Sequence, residues 1–269
     1  MPVDTSSYYP EVPDPEGRDE GYSLNSRNQS LFHDHVEVIL KEDDKEPCPV
    51  EPAPSSNESH EDGVEKFITI FSNLLSWILV PLLMPVFGLI LAFGLSILDI
   101  VPMGMRVRFT FIIFGINFII PVLTVGLLKV LGVVKDLGLN GRKERLLPYI
   151  VTAICMGCSA WFLAQRGAPV WLSMFYAGGA LASLINLMVN FKWKISAHAA
   201  AIAGVIALLI RIEHFTVARP QLLMWLLITI GVTGLLGSAR IWLGRHTVWQ
   251  VLAGYAVGFC SVFFLTMIH

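Results

Sequence analysis

Beyond residue 66 this chain has almost no acid: Asp99, Asp136, Glu144 and Glu213 are its only carboxylates there, against 14 Lys and Arg. Metal-assisted phosphoryl or hydrolytic chemistry relies on Asp and Glu ligands. Four scattered acids do not supply such a set, so no metal or other cofactor is expected. A positively charged start followed by an apolar core is also missing, which predicts no cleavable signal peptide. Cysteine is sparse, at four residues. Cys155 and Cys158 form a C-x-x-C, but inside an uncharged run, where two small apolar packers are expected rather than a redox pair. No inverted internal repeat is visible, which weakens a transporter reading. Charge of either sign is scarce: 15% of residues are charged and 54% hydrophobic, too apolar for an ordinary soluble domain.

What acid there is lies at the N-terminus. Residues 1–66 hold 17 Asp and Glu against 5 Lys and Arg, about −12, while the remainder carries about +10. Rich in Pro, Ser and acids, the tail cannot bury enough apolar surface to offset its ordering entropy, so it is expected to be disordered to about Glu65. Val36 to Leu40 is its one apolar island. His33 and His35 form an isolated His-x-His without the further ligands a metal site needs. The expected division is a 1–66 acidic tail and a 67–269 membrane domain.

From Phe67 on, uncharged runs alternate with short charged connections: 67–98, 109–128, 146–165, 167–191, 195–210, 221–239 and 247–268. Most approach the roughly 20 residues of a membrane-spanning helix, and runs this continuous are not barrel strands. The predicted fold is all-α, a polytopic transmembrane bundle of about six to seven spans. The first run exceeds one perpendicular span and contains Pro81 and Pro85, so a kink or an interfacial start is expected. The small residues Gly178, Gly179, Ala180, Ala182 and Ser183 predict close helix packing.

Parity then groups the polar connections. Residues 129–145, 192–198 and 238–246 are separated by even numbers of spans and must share one side of the bilayer, here called face A. The first cluster carries Lys135, Arg142, Lys143 and Arg145. The second offers Ser196 as N-cap of the next helix, with His198 in its first turn. The third places Arg240 and His246 just before the last helix, whose N-terminal amides and dipole favour an anion. Gln250 lies four residues on and can reach back to the imidazole. Two histidines among cations suit a phosphate, with charge balanced by Arg and Lys. One histidine would attack phosphorus while the other protonates the leaving oxygen. The plainer readings are a positive-inside loop for the first cluster and, for His198, an interfacial histidine bonded to a neighbouring carbonyl.

These residues resemble the type 2 phosphatidic acid phosphatases and their lipid-phosphatase relatives. That family's last motif runs Ser-Arg, five residues, His, three residues, Asp. Arg240, His246 and both intervals match, and Leu243-Gly244 and 251–254 are also similar. Ile195-Ser196-Ala197-His198 stands where the family has Pro-Ser-Gly-His. Lys135, six residues and Arg142 echo the first motif, with Lys143 in place of proline; alternatively Arg145 with Pro148 supplies it. The resemblance covers roughly residues 70–269. It implies that His246 is the phosphohistidine-forming nucleophile and His198 the general acid. Arg240, with Lys135 and Arg142 or Arg145, would clamp the phosphate, and Ser196 would complete the cradle. The chain departs from the pattern at Ala239, where the family has serine, and at Gln250, where it has the aspartate that orients the nucleophile. In a serine-protease triad, loss of the orienting carboxylate costs about 10⁴ in rate.

The expected function is therefore a metal-independent membrane phosphatase acting on a lipid phosphate or polyprenyl diphosphate. Its partners would be an amphiphilic phosphorylated lipid and membrane lipids, and no nucleic acid is expected. The alternative is a weakened or inactive descendant that binds anionic lipid or a partner in its basic cavity. Face A carries nine Lys and Arg against five on the other side, which favours a cytoplasmic face. The family resemblance implies an extracytoplasmic one, in a plasma or inner membrane, and that is the orientation adopted.

Overall fold

A computed structural model describes residues 56–132, 146–215 and 220–267. The cluster holding Lys135, Arg142, Lys143 and Arg145 lies outside the described residues, as do the tail histidines and the Val36–Leu40 island. The described residues contain helices and no strand. They are α1 (Ser56–Ile78), α2 (Met84–Leu95), α3 (Met103–Phe114), α4 (Ile120–Val130), α5 (Leu146–Gln165), α6 (Val170–Asn190), α7 (Ala197–Phe215), α8 (Pro220–Trp242) and α9 (Val248–Met267). A single π-helical stretch, Gly115–Ile119, joins α3 and α4 into one rod. Seven stretches among these residues are long and apolar enough to cross a membrane, the build of a multi-pass membrane protein. They follow the seven uncharged runs of the sequence closely.

The long first run breaks at its prolines. Gly63–Leu95 is 33 residues, about 50 Å as one helix and longer than the bilayer's apolar core. Pro81 lacks the amide a helix needs, and a 3₁₀ turn, Pro81–Leu83, separates α1 from α2. α1 is turned inside out. Ser72 and Ser76, one turn apart, are buried against the protein, whereas Phe67, Ile70, Leu74 and Trp77 are exposed. Outward apolar side chains on a helix of this kind are suited to lipid.

α7 is the central helix, with Ala207, Leu208 and Leu209 fully buried. Its most extensive neighbour is α9. The two run in the same direction: Ser196 bonds Gln250 at their starts and Arg211 bonds the Thr266 carbonyl near their ends. Gly254 and Gly258, a GxxxG pair, allow this approach. A Cβ on Gly254 would lie 2.6 Å from the Ser196 carbonyl oxygen, and one on Gly258 would lie 2.7 Å from the Ala200 Cα. The small residues of α6 divide between two tasks. A Cβ on Gly178 would meet the Val262 backbone of α9 at 2.7 Å, while Gly179, Ala182 and Ser183 line a cleft.

Candidate functional site

The connection from α8 to α9 is built from two interlocking caps. α8 ends in a left-handed turn at Gly244, whose φ is +62°, a conformation that costs a side-chain-bearing residue about 1 kcal/mol or more. Gly244 N–H bonds the Ile241 carbonyl at 2.9 Å and Arg245 N–H bonds the Arg240 carbonyl at 3.1 Å. That pair of bonds is a Schellman motif. His246 N–H adds a third bond, also to the Arg240 carbonyl, at 3.3 Å. The backbone of Arg240 therefore fixes the start of the histidine.

Thr247 and Gln250 then form a capping box for α9. Gln250 N–H donates to Thr247 Oγ1 at 3.4 Å, and Thr247 N–H donates to Gln250 Oε1 at 3.3 Å. The second bond decides the amide orientation, because an N–H needs the oxygen and not the NH₂. The same Oε1 lies 3.2 Å from His246 Nδ1. Nδ1 therefore carries a proton and donates it to the amide oxygen. His246 is only 6% exposed.

Nothing among protein-family models, curated proteins or solved structures matches this chain. The family resemblance rests on the residues themselves.

The second cluster meets the third through the backbone. Ser196 is fully buried, and its N–H donates to the Gln250 carbonyl at 3.3 Å. Its hydroxyl accepts the Ala199 N–H at 3.4 Å, a side-chain cap on α7. Ser196, Arg240, His246 and Gln250 are thus gathered where α7 and α9 begin and α8 ends. His198, in the first turn of α7, reaches α1: its Nε2 lies 3.2 Å from the Ser76 carbonyl oxygen. A carbonyl can only accept, so Nε2 is protonated and donating. This carbonyl stands in the last turn of α1, where helix acceptors lack intrahelical donors.

Trp242 Nε1 donates to Thr69 Oγ1 at 3.2 Å. α1 is therefore held beside the ends of both α7 and α8. Ala239 is buried, and Ser238 is exposed on another side of α8, so Ser238 does not occupy the position where the family has serine. Among the described residues no three His, Cys, Asp or Glu side chains gather into a metal-binding group. Of the described cysteines, Cys155 is buried and Cys158 and Cys260 are exposed, all as free thiols.

Two features of this site have sequence signatures beyond those named above. Thr247-x-x-Gln250 ahead of an apolar run is a capping-box signature. Gly254-x-x-x-Gly258 is the small-residue spacing of a close helix pair.

Proposed function

We propose that this protein is an integral-membrane, metal-independent phosphatase of the type 2 phosphatidic acid phosphatase kind, acting on a lipid phosphate or polyprenyl diphosphate. The observation that supports this reading is the His246–Gln250 bond, which turns Nδ1 to the amide at the start of a helix; in this reading Nε2 is the nucleophile. In the proposed cycle Nε2 forms a bond to phosphorus as the P–O bond to the lipid breaks. The leaving oxygen takes its proton from His198, and Arg240 balances charge on the phosphoryl oxygens. Water, giving a proton to His198, then attacks phosphorus as the P–N bond breaks, releasing inorganic phosphate and restoring Nε2 and the His198 proton. Lys135, Arg142, Lys143 and Arg145 are proposed as the remaining phosphate contacts. His198 must exchange the Ser76 carbonyl for the leaving oxygen when substrate binds.

The test is release of inorganic phosphate from phosphatidic acid or a polyprenyl diphosphate by the purified full chain in excess EDTA. Turnover that disappears with chelator, or that survives His246→Ala, sinks the mechanism.

Two observations favour the alternative of an inactive relative that binds anionic lipid or a partner in its basic cavity: His198 is engaged by a backbone carbonyl, and Gln250 by a helix cap. Gln250→Asp separates the two readings. A gain in rate marks a weakened enzyme, and no turnover in either form marks a binding protein.

A further inference from the structure

α1 is tied to the two helix ends that bound the site. Trp242 of α8 donates to Thr69 Oγ1, and His198 of α7 donates to the Ser76 carbonyl. The second bond engages the proton that the proposed cycle gives to the leaving oxygen. An N–H already given to a carbonyl is not available to a substrate. Docked α1 therefore occupies one of the two histidines on which the site depends.

The attachment of α1 is slight. Among the described residues no helix packs extensively against it. Leu75 and Leu79, near its end, meet the core, while Phe67, Ile70, Leu74 and Trp77 are exposed. Ser76 is buried, and its hydroxyl has no hydrogen-bond partner. A buried hydroxyl left so is a penalty carried by the docked state. The end of the helix is also jointed. Val80 is extended, at φ −60° and ψ 136°, and Pro81 cannot carry the helix on. Beyond the turn, Met84, Leu89 and Ala92 anchor α2 in the core. Hinges are a few element-terminal residues that absorb a change of φ and ψ, and rotation at Val80 lifts α1 while α2 stays in place.

We infer that α1 is an autoinhibitory strap: docked, it holds His198 on the Ser76 carbonyl, and a lipid phosphate occupies the site only as α1 lifts. The inference rests on the reading of this site as one for a phosphorylated lipid, whether hydrolysed or only bound. Such coupling is reciprocal, so fixing the strap must weaken the ligand. The test joins Thr69→Cys to Trp242→Cys, in an otherwise cysteine-free full chain, with a reducible bis-methanethiosulfonate. Both positions lie outside the proposed machinery and are exposed. Binding of dioctanoyl phosphatidic acid and release of phosphate from it are read on the same sample in EDTA. The cross-linked protein is expected to bind and turn over at least about tenfold more weakly, with recovery on reduction. The same cysteine pair capped with methyl methanethiosulfonate should behave as the reduced protein does. Thr69→Val and Trp242→Phe, alone or together, should raise affinity and any turnover by one common factor of about two or more, because they remove a single bond. Binding and release indifferent to the cross-link overturn the inference and leave the phosphatase reading intact. A fall in both with Thr69→Val also overturns it, and marks the Ser76 carbonyl as a group that orients His198. Neither binding nor release in any form, the loosened ones included, removes the reading of the site and the strap together.

Discussion

Gln250 bonds both the Thr247 amide and the His246 ring through one oxygen. Under the proposed function it is a neutral substitute for an orienting aspartate, and the protease precedent sets a penalty near 10⁴. In that precedent the amide also puts the histidine in the wrong tautomer. Here Thr247 N–H holds the Gln250 oxygen toward Nδ1, so the amide accepts from the ring where an aspartate would, and only the negative charge is missing. Gln250→Glu retains the length of the side chain and both of its bonds while restoring charge. It is expected to raise phosphate release by about 10²-fold, measured as kcat on a fixed lipid phosphate. Gln250→Ala should lose both the cap and the imidazole bond, lowering thermal stability by about 1 kcal/mol together with activity. The arginine can be examined separately from its turn. Its carbonyl holds the amides of Arg245 and His246, and replacing the side chain keeps that carbonyl. Arg240→Gln is therefore expected to leave the unfolding midpoint near wild type and to reduce phosphate release by at least about 10²-fold.

At the level of elements, the sequence was read correctly wherever hydrophobic length decided the matter. Seven uncharged runs became seven long apolar stretches because lipid leaves the backbone few alternatives to helix. The proline break in the first run was visible for the same reason. What the sequence did not show is which face of α1 meets the protein. Its apolar residues would mark the inward side in a soluble bundle, yet Ser72 and Ser76 are the buried ones. Nor did any periodicity announce that His198 would bond a carbonyl of that helix, since the contact joins residues 122 positions apart. The α7–α9 pair gives the sharpest expectation at this scale. Gly258→Leu must push the Ala200 backbone away, and overpacking against backbone should cost at least about 3 kcal/mol. The expected readout is loss of the monodisperse peak in detergent, with Gly231→Leu, which meets open space, as the unaffected control.

For the whole molecule, the two bonds from α1 fix the topology of the described chain. Thr69 and Ser76 are tied to the face-A ends of α8 and α7. The six residues from Thr69 back to Gly63 span only about 9 Å of helix, too short to recross the bilayer. Gly63→Cys and Lys194→Cys, each in a cysteine-free background, are therefore expected to react with a membrane-impermeant maleimide from one side. Gly167→Cys should react from the other. Under the proposed orientation the first pair labels in intact cells without permeabilisation. The contact between α7 and α9 also has a mechanical meaning. Where Gly254 and Gly258 meet backbone, no side chain lies between the two helices that could yield by changing rotamer. They act as one beam, and Ser196 and Gln250 keep their spacing as the bundle breathes. Any opening that admits a lipid headgroup must be hinged elsewhere. α1 is the outlying arm, moored to the face-A ends of that bundle through Thr69 and Ser76.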